Sequence, residues 1–92
     1  MSQTAFTDNP AAARYELRQG ERVVAFAQYR VDGDALHFTH TEVTDEFEGQ
    51  GLGSELARQA LDDVRRRGMK AVPRCAFIQA YIRRHPEYEA LL

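Results

Sequence analysis

The sequence holds one cysteine, Cys75, which excludes an internal disulfide framework and suits a reducing compartment. No apolar run approaches the roughly 20 residues that a membrane-spanning helix needs. The first residues, MSQTAFTDNPAAA, show neither the basic segment nor the apolar one of a secretory signal. The expectation is a cytoplasmic protein with no membrane partner. Positive charge is not in excess either: 12 Lys and Arg stand against 14 Asp and Glu, a net of −2. A nucleic-acid partner held by bulk electrostatics is therefore not expected, and the aromatic–basic interleaving of single-strand binders is missing too.

What is present is an ordinary folded composition, 43% hydrophobic and 28% charged over 92 residues. That is one domain near the lower size at which a core holds itself together. Residues 1–13 read as a flexible N-terminus, with Asn9-Pro10 discouraging regular structure, and residues 14–92 as a single domain. RYELRQ and RVVAFAQYRV read as strands joined by a turn at Gly20-Glu21. Asp32-Gly33 signals a hairpin into ALHFTHTEV, completing a three-stranded antiparallel meander. Strict alternation in that third strand puts Leu36, Phe38, His40 and Glu42 on one face, and His37, Thr39, Thr41 and Val43 on the other. The middle strand is apolar on both faces, which calls for a cover on each side.

Leu52, Leu56, Ala60, Leu61 and Val64 recur at helical spacing, and Gly68 suits the position just past a helix end. The run Arg65, Arg66, Arg67 reads as last-turn charge complementing the helix dipole, with a ligand phosphate as the alternative partner. MKAV follows as a short fourth strand, parallel to the third because a helix separates them. AFIQAYIRR reads as a second helix with Phe77 and Tyr81 on one face and Ile78 and Ile82 as further members of its apolar spacing, and Pro86 breaks it before a short C-terminal helix. The fold class is α+β: a small antiparallel meander with a parallel crossover strand and helices on both faces.

Between the third strand and the first helix stands EGQGLGSEL, with Gly49, Gly51 and Gly53. A strand, a glycine-rich loop and a helix N-terminus together offer backbone N–H groups that an anion can approach closely. The dinucleotide fingerprint fails, because Ser54 stands where its third glycine belongs, and a P-loop fails for want of a lysine. A simple turn is the plain alternative. The stretch resembles the pyrophosphate-holding motif of the GNAT N-acetyltransferase superfamily. HTEV, VPRC and YIRRHPEY extend the likeness to a minimal single-domain form, covering about Tyr15 to Leu92. Two positions depart from that pattern. Glu48 replaces the usual Arg or Gln, leaving a diphosphate to main-chain amides alone, and Ala76 replaces a proline after the cysteine.

The resemblance implies acetyl-coenzyme A as cosubstrate, held by Gly49, Gln50, Gly51, Leu52, Gly53 and Ser54, with backbone groups of Val43 along the pantetheine arm. It also places Cys75 near the thioester sulfur, and Tyr81 where such enzymes carry a proton donor for the leaving thiolate. A thiolate at Cys75 would be favoured by a helix start and by Arg74, whereas the plain reading is a buried inert thiol. Tyr81 has core packing as its own alternative. His40, within HTEV, is suited to accept an amine proton near neutral pH, with Glu42 beside it on the same face. His37, expected on the opposite face and at the surface, then forms no metal pair with His40. His85 and Tyr88 read as helix-capping or packing groups. Acids at Asp45 and Glu46 point to an amine or a basic peptide as acceptor. Three readings result: an acetyl-coenzyme A-dependent N-acetyltransferase, a non-catalytic coenzyme A or acyl-CoA binding module, and an interaction domain that binds no coenzyme.

Overall fold

A computed structural model describes residues 4–92. Its one sheet has the order β1 (Thr4–Asn9), β2 (Arg14–Gln19), β3 (Arg22–Asp32), β4 (Ala35–Val43), β5 (Lys70–Pro73). The first four strands pair antiparallel in sequence order, and β5 joins β4 in parallel. The parallel crossover is α1 (Leu52–Arg66), and α2 (Ala76–Arg84) follows β5. The α+β class and the crossover match the sequence reading.

Three expectations change. The flexible start expected over residues 1–13 lies partly outside the described residues, and from Thr4 to Asn9 the chain is a paired strand. Phe6 stacks on Tyr15 with ring centroids 5.4 Å apart, and Asp8 accepts a 2.5 Å bond from the Tyr29 hydroxyl. Those contacts pin an edge that local sequence did not mark. Second, the short C-terminal helix expected after Pro86 is there, Pro86–Leu91, and takes the 3-10 form.

Third, the helices do not cover both faces. Leu56, Leu61 and Val64 of α1 and Ile78, Tyr81 and Ile82 of α2 share one core with Tyr15, Leu17, Ala27, Leu36 and Phe38 of the sheet. The other face is dressed by its own long side chains. The Arg14 guanidinium lies 4.7 Å from the Phe26 ring centroid. Glu16, fully buried, takes bonds from Arg14 Nε at 2.6 Å, Arg18 Nε at 2.9 Å and Asn9 Nδ2 at 3.1 Å. Arginine stems covering apolar surface while their heads hold a carboxylate make a second helical layer unnecessary.

The helix ends follow from sequence. At the C-terminus of α1, Met69 N–H bonds Val64 O at 3.1 Å and Gly68 N–H bonds Arg65 O at 3.0 Å, with Gly68 at φ +70°. This is a Schellman closure, which requires the left-handed residue that glycine supplies. The arginine run is occupied there. Arg66 and Arg67 pair with Asp63, Arg67 also with Asp8, and Arg65 lies over the Tyr88 ring at 4.8 Å. The run sits at the far end of α1 from the glycine loop, about 20 Å away at 1.5 Å per residue. Its role is structural.

Burial raises the Glu16 carboxyl pKa, but the bonds from Arg14, Arg18 and Asn9 outweigh it and hold the group below the usual carboxylate range. A folded-state pKa below the unfolded one adds stability above the unfolded value, lost as pH falls through the folded one. Glu16→Gln should therefore cost about 1–3 kcal/mol near neutral pH, and the deficit should shrink on acidification. Urea melts of both proteins between pH 7 and pH 3 would check this.

Candidate functional site

β4 makes the site by losing its straight register. Tyr29 pairs with Phe38, but Gln28 pairs with His40, so Thr39 has no partner of its own. This bulge inverts the alternation beyond it. Leu36 and Phe38 share the helix-covered face with Thr41 and Val43, whose cross-strand partners are Ala27 and Ala25. His40 and Glu42 turn to the open face, which His37 shares. The expected separation of His37 from His40 is thus overturned, because the bulge shifts the side-chain phase by one residue. His37 is also buried rather than superficial, 9% exposed, and its Nδ1 accepts a 3.1 Å bond from Arg74 Nε. No group of three or more potential metal-ligating side chains gathers among the described residues.

The pairing of β4 with β5 stops at Phe38 and Pro73. Arg74 and Cys75 N–H groups both donate to Phe38 O, at 2.9 and 3.1 Å, and the chain then turns into α2. Beyond that point the two strands part. A cleft of about 360 Å³ opens there, lined by Thr41, Val43, Phe47, Gly49, Gly51 and Phe77 among others. Thr41 Oγ1 lies 3.3 Å from Cys75 Sγ on its wall. Neither Thr41 nor Phe77 was among the expected site residues. Thr41 carries no local signal, since only the bulge turns it inward. Phe77 was assigned to the packed face of α2, yet it is 37% exposed while Ile78 is buried.

The glycine loop closes the other side. Gly49 at φ +83° and Gly51 at φ +76° turn the chain into α1, whose N-cap is Gly51. Among the described residues the N–H groups of Gly49 and of residues 51–54 find no acceptor, whereas Gln50 closes the turn over Glu48 and Gly49, Glu48 N–H is used by Asp45 O and Glu55 N–H by Gly51 O. Free amides at a helix N-terminus beside an open cleft form an anion cradle. Gly53 serves a different need: a Cβ there would meet Phe77 Cζ at 2.6 Å.

A sequence profile described as GCN5-related N-acetyl-transferase matches residues 14–91. The chain belongs to the GCN5-related N-acetyltransferase family. The chain is 36% identical over 66 residues to Protein NATD1 of Xenopus tropicalis and to that of Homo sapiens. This stretch is 72% of the chain but only 60% and 58% of those relatives, so the chain spans about three fifths of their length. The NMR structure of a GCN5-like protein from Staphylococcus aureus superposes with a TM-score of 0.74 at 24% identity, over 99% of this chain and 89% of that one. The ribosomal-protein-S18-alanine N-acetyltransferase of Escherichia coli superposes at 0.58 with 23% identity, over 76% of this chain and 40% of its own. These two likenesses concern the fold.

The other expected site residues of this GCN5-related chain fall into three places. Cys75 is half-buried at the N-cap of α2, whose first amides lie beside it. His40 is exposed, its Nε2 3.4 Å from Glu42 Oε1 and its ring 6.0 Å from that of Phe26. No contact joins His40 to Cys75. Glu42, on the free edge of β4, lines the cleft as well as touching His40. Tyr81 is 5% exposed, absent from the cleft wall, and stacked on His85 at 4.1 Å. Burial raises its pKa, keeping the phenol neutral. Tyr88 bonds Asp62 at 2.7 Å, and burial with that bond pushes its pKa up to about 12.

The two glycines should respond differently to a methyl group. Gly51→Ala meets no neighbour but must hold a left-handed conformation, at about 1–2 kcal/mol. Gly53→Ala gains up to about 1 kcal/mol of helix propensity and displaces the free end of the Phe77 ring. Chemical denaturation of both variants, with aromatic NMR shifts for Phe77, would separate conformation from space.

Proposed function

We propose that the protein transfers an acetyl group from acetyl-coenzyme A to an amine, with the amides of Gly49 and of residues 51–54 holding the diphosphate. The observation that carries this reading is those unpartnered N–H groups on a cleft that an extended thioester can enter. Glu48 stands at the cleft rim and opposes an anion, so the main chain supplies the attraction. Residues 39–43, past the end of the β5 ladder, leave one strand edge available to a pantetheine arm, as expected of Val43.

His40, steadied by Glu42, accepts the proton that the amine loses as its nitrogen bonds the acetyl carbon. Thr41, on the cleft wall with Cys75 Sγ 3.3 Å behind its hydroxyl, returns a proton to the departing sulfur as the carbon–sulfur bond breaks. Direct transfer is favoured over an acetyl-cysteine relay because His40 and Cys75 stand on different faces of β4. Tyr81 is left to packing. A second reading, a binding module without chemistry, draws on Glu48 and on the same separation.

Coenzyme A at a hundred times its Kd should add about 2.7 kcal/mol, a melting rise of roughly 10 °C or more. Unchanged melting would remove the transferase and the binding module together. Transfer of radiolabelled acetyl to peptide amines should fall about 100-fold in His40→Ala. Equal rates in the two proteins would leave only binding, and label retained on Cys75 would restore the relay.

A further inference from the structure

We infer that the open face of the sheet receives an acidic peptide segment carrying the acceptor amine, an inference that rests on the transferase reading above. The bulge at Thr39 turns His40 to that face, away from α1 and α2, and no described helix covers it. The charged groups around His40 there are mostly arginines. Arg14 lies over Phe26, the ring that also flanks His40. Arg30, exposed, is the cross-strand partner of His37, which Arg74 contacts from β5's end. Glu16, bonded to both Arg14 and Arg18, offsets one of their two charges. Asp32 and Glu42 are the exposed acids on this face, Glu42 lying against His40.

A positive face thus sits on a chain of net charge −2. Glu46, one of the two acids that suggested a basic acceptor, is paired with Arg22 instead. Complementary charge favours an acidic partner, whereas a basic peptide would meet the same arginines. Single-stranded RNA is the poorer fit, because the face offers no row of aromatics and Phe26 is already covered by Arg14.

Fluorescence anisotropy of the protein saturated with coenzyme A would test this, using short labelled peptides with a free amine. One peptide is rich in Asp and Glu, one in Lys and Arg, and an oligouridine serves as a third probe. The acidic peptide should bind, weaken with salt, and lose about tenfold in affinity in Arg30→Glu. Gln28→Glu, beside His40 on β3, should weaken it in the same direction. Tighter binding of the basic peptide or the RNA overturns the inference, as does no binding of the acidic peptide or indifference to both substitutions. The melting rise with coenzyme A, read on the same samples, reports separately on the transferase reading.

Discussion

Past Phe38, β4 keeps a neighbour on one side only, and the site depends on that loss of pairing. A strand bonded on both edges has no main-chain groups to spare and no gap to admit a ligand. Two local events end the ladder. Thr39 bulges out of register with β3, and Phe38 O captures both Arg74 and Cys75 N–H groups as the chain leaves β5. The first event brings Thr41 and Val43 to the cleft and sends His40 to the other face. The second places Cys75 where Thr41 can reach it.

The electrostatics divide along the same strand. On the helix side, acids and arginines are largely spent on one another. Asp63 holds Tyr15, Arg66 and Arg67, and Asp62 holds Tyr88, tying the C-terminal half of α1 to the first strands and to the final turn. Burial, and then the bond to Asp63, drive the Tyr15 pKa far upward, so the phenol stays neutral and keeps its proton for this link. The N-terminal end of α1 lacks such partners. There the helix dipole and unbonded amides face the cleft, with Glu42, Asp45 and Glu48 opposing them. One helix thus carries paired structural charge at one end and unfilled donors at the other.

The sheet has an uncovered face. Among the described residues both α-helices pack into one core and neither lies over the opposite side. The arginines that mask Phe26 and hold Glu16 keep that face polar.

By itself the sequence determined much of the frame. Alternation marked three strands, helical spacing marked α1 with Gly68 as its stop, and a helix between two strands required the parallel crossover. The glycine loop was legible because positive φ angles demand glycine, and its family likeness rested on quoted motifs. Residues 4–9 were illegible as a strand because their pairing is set by distant contacts, Phe6 on Tyr15 and Asp8 with Tyr29 and Arg67. Which face His40, Thr41 and Glu42 occupy was decided only in the tertiary structure. A bulge leaves no mark in residue type, yet shifting one residue out of register reverses every side chain beyond it.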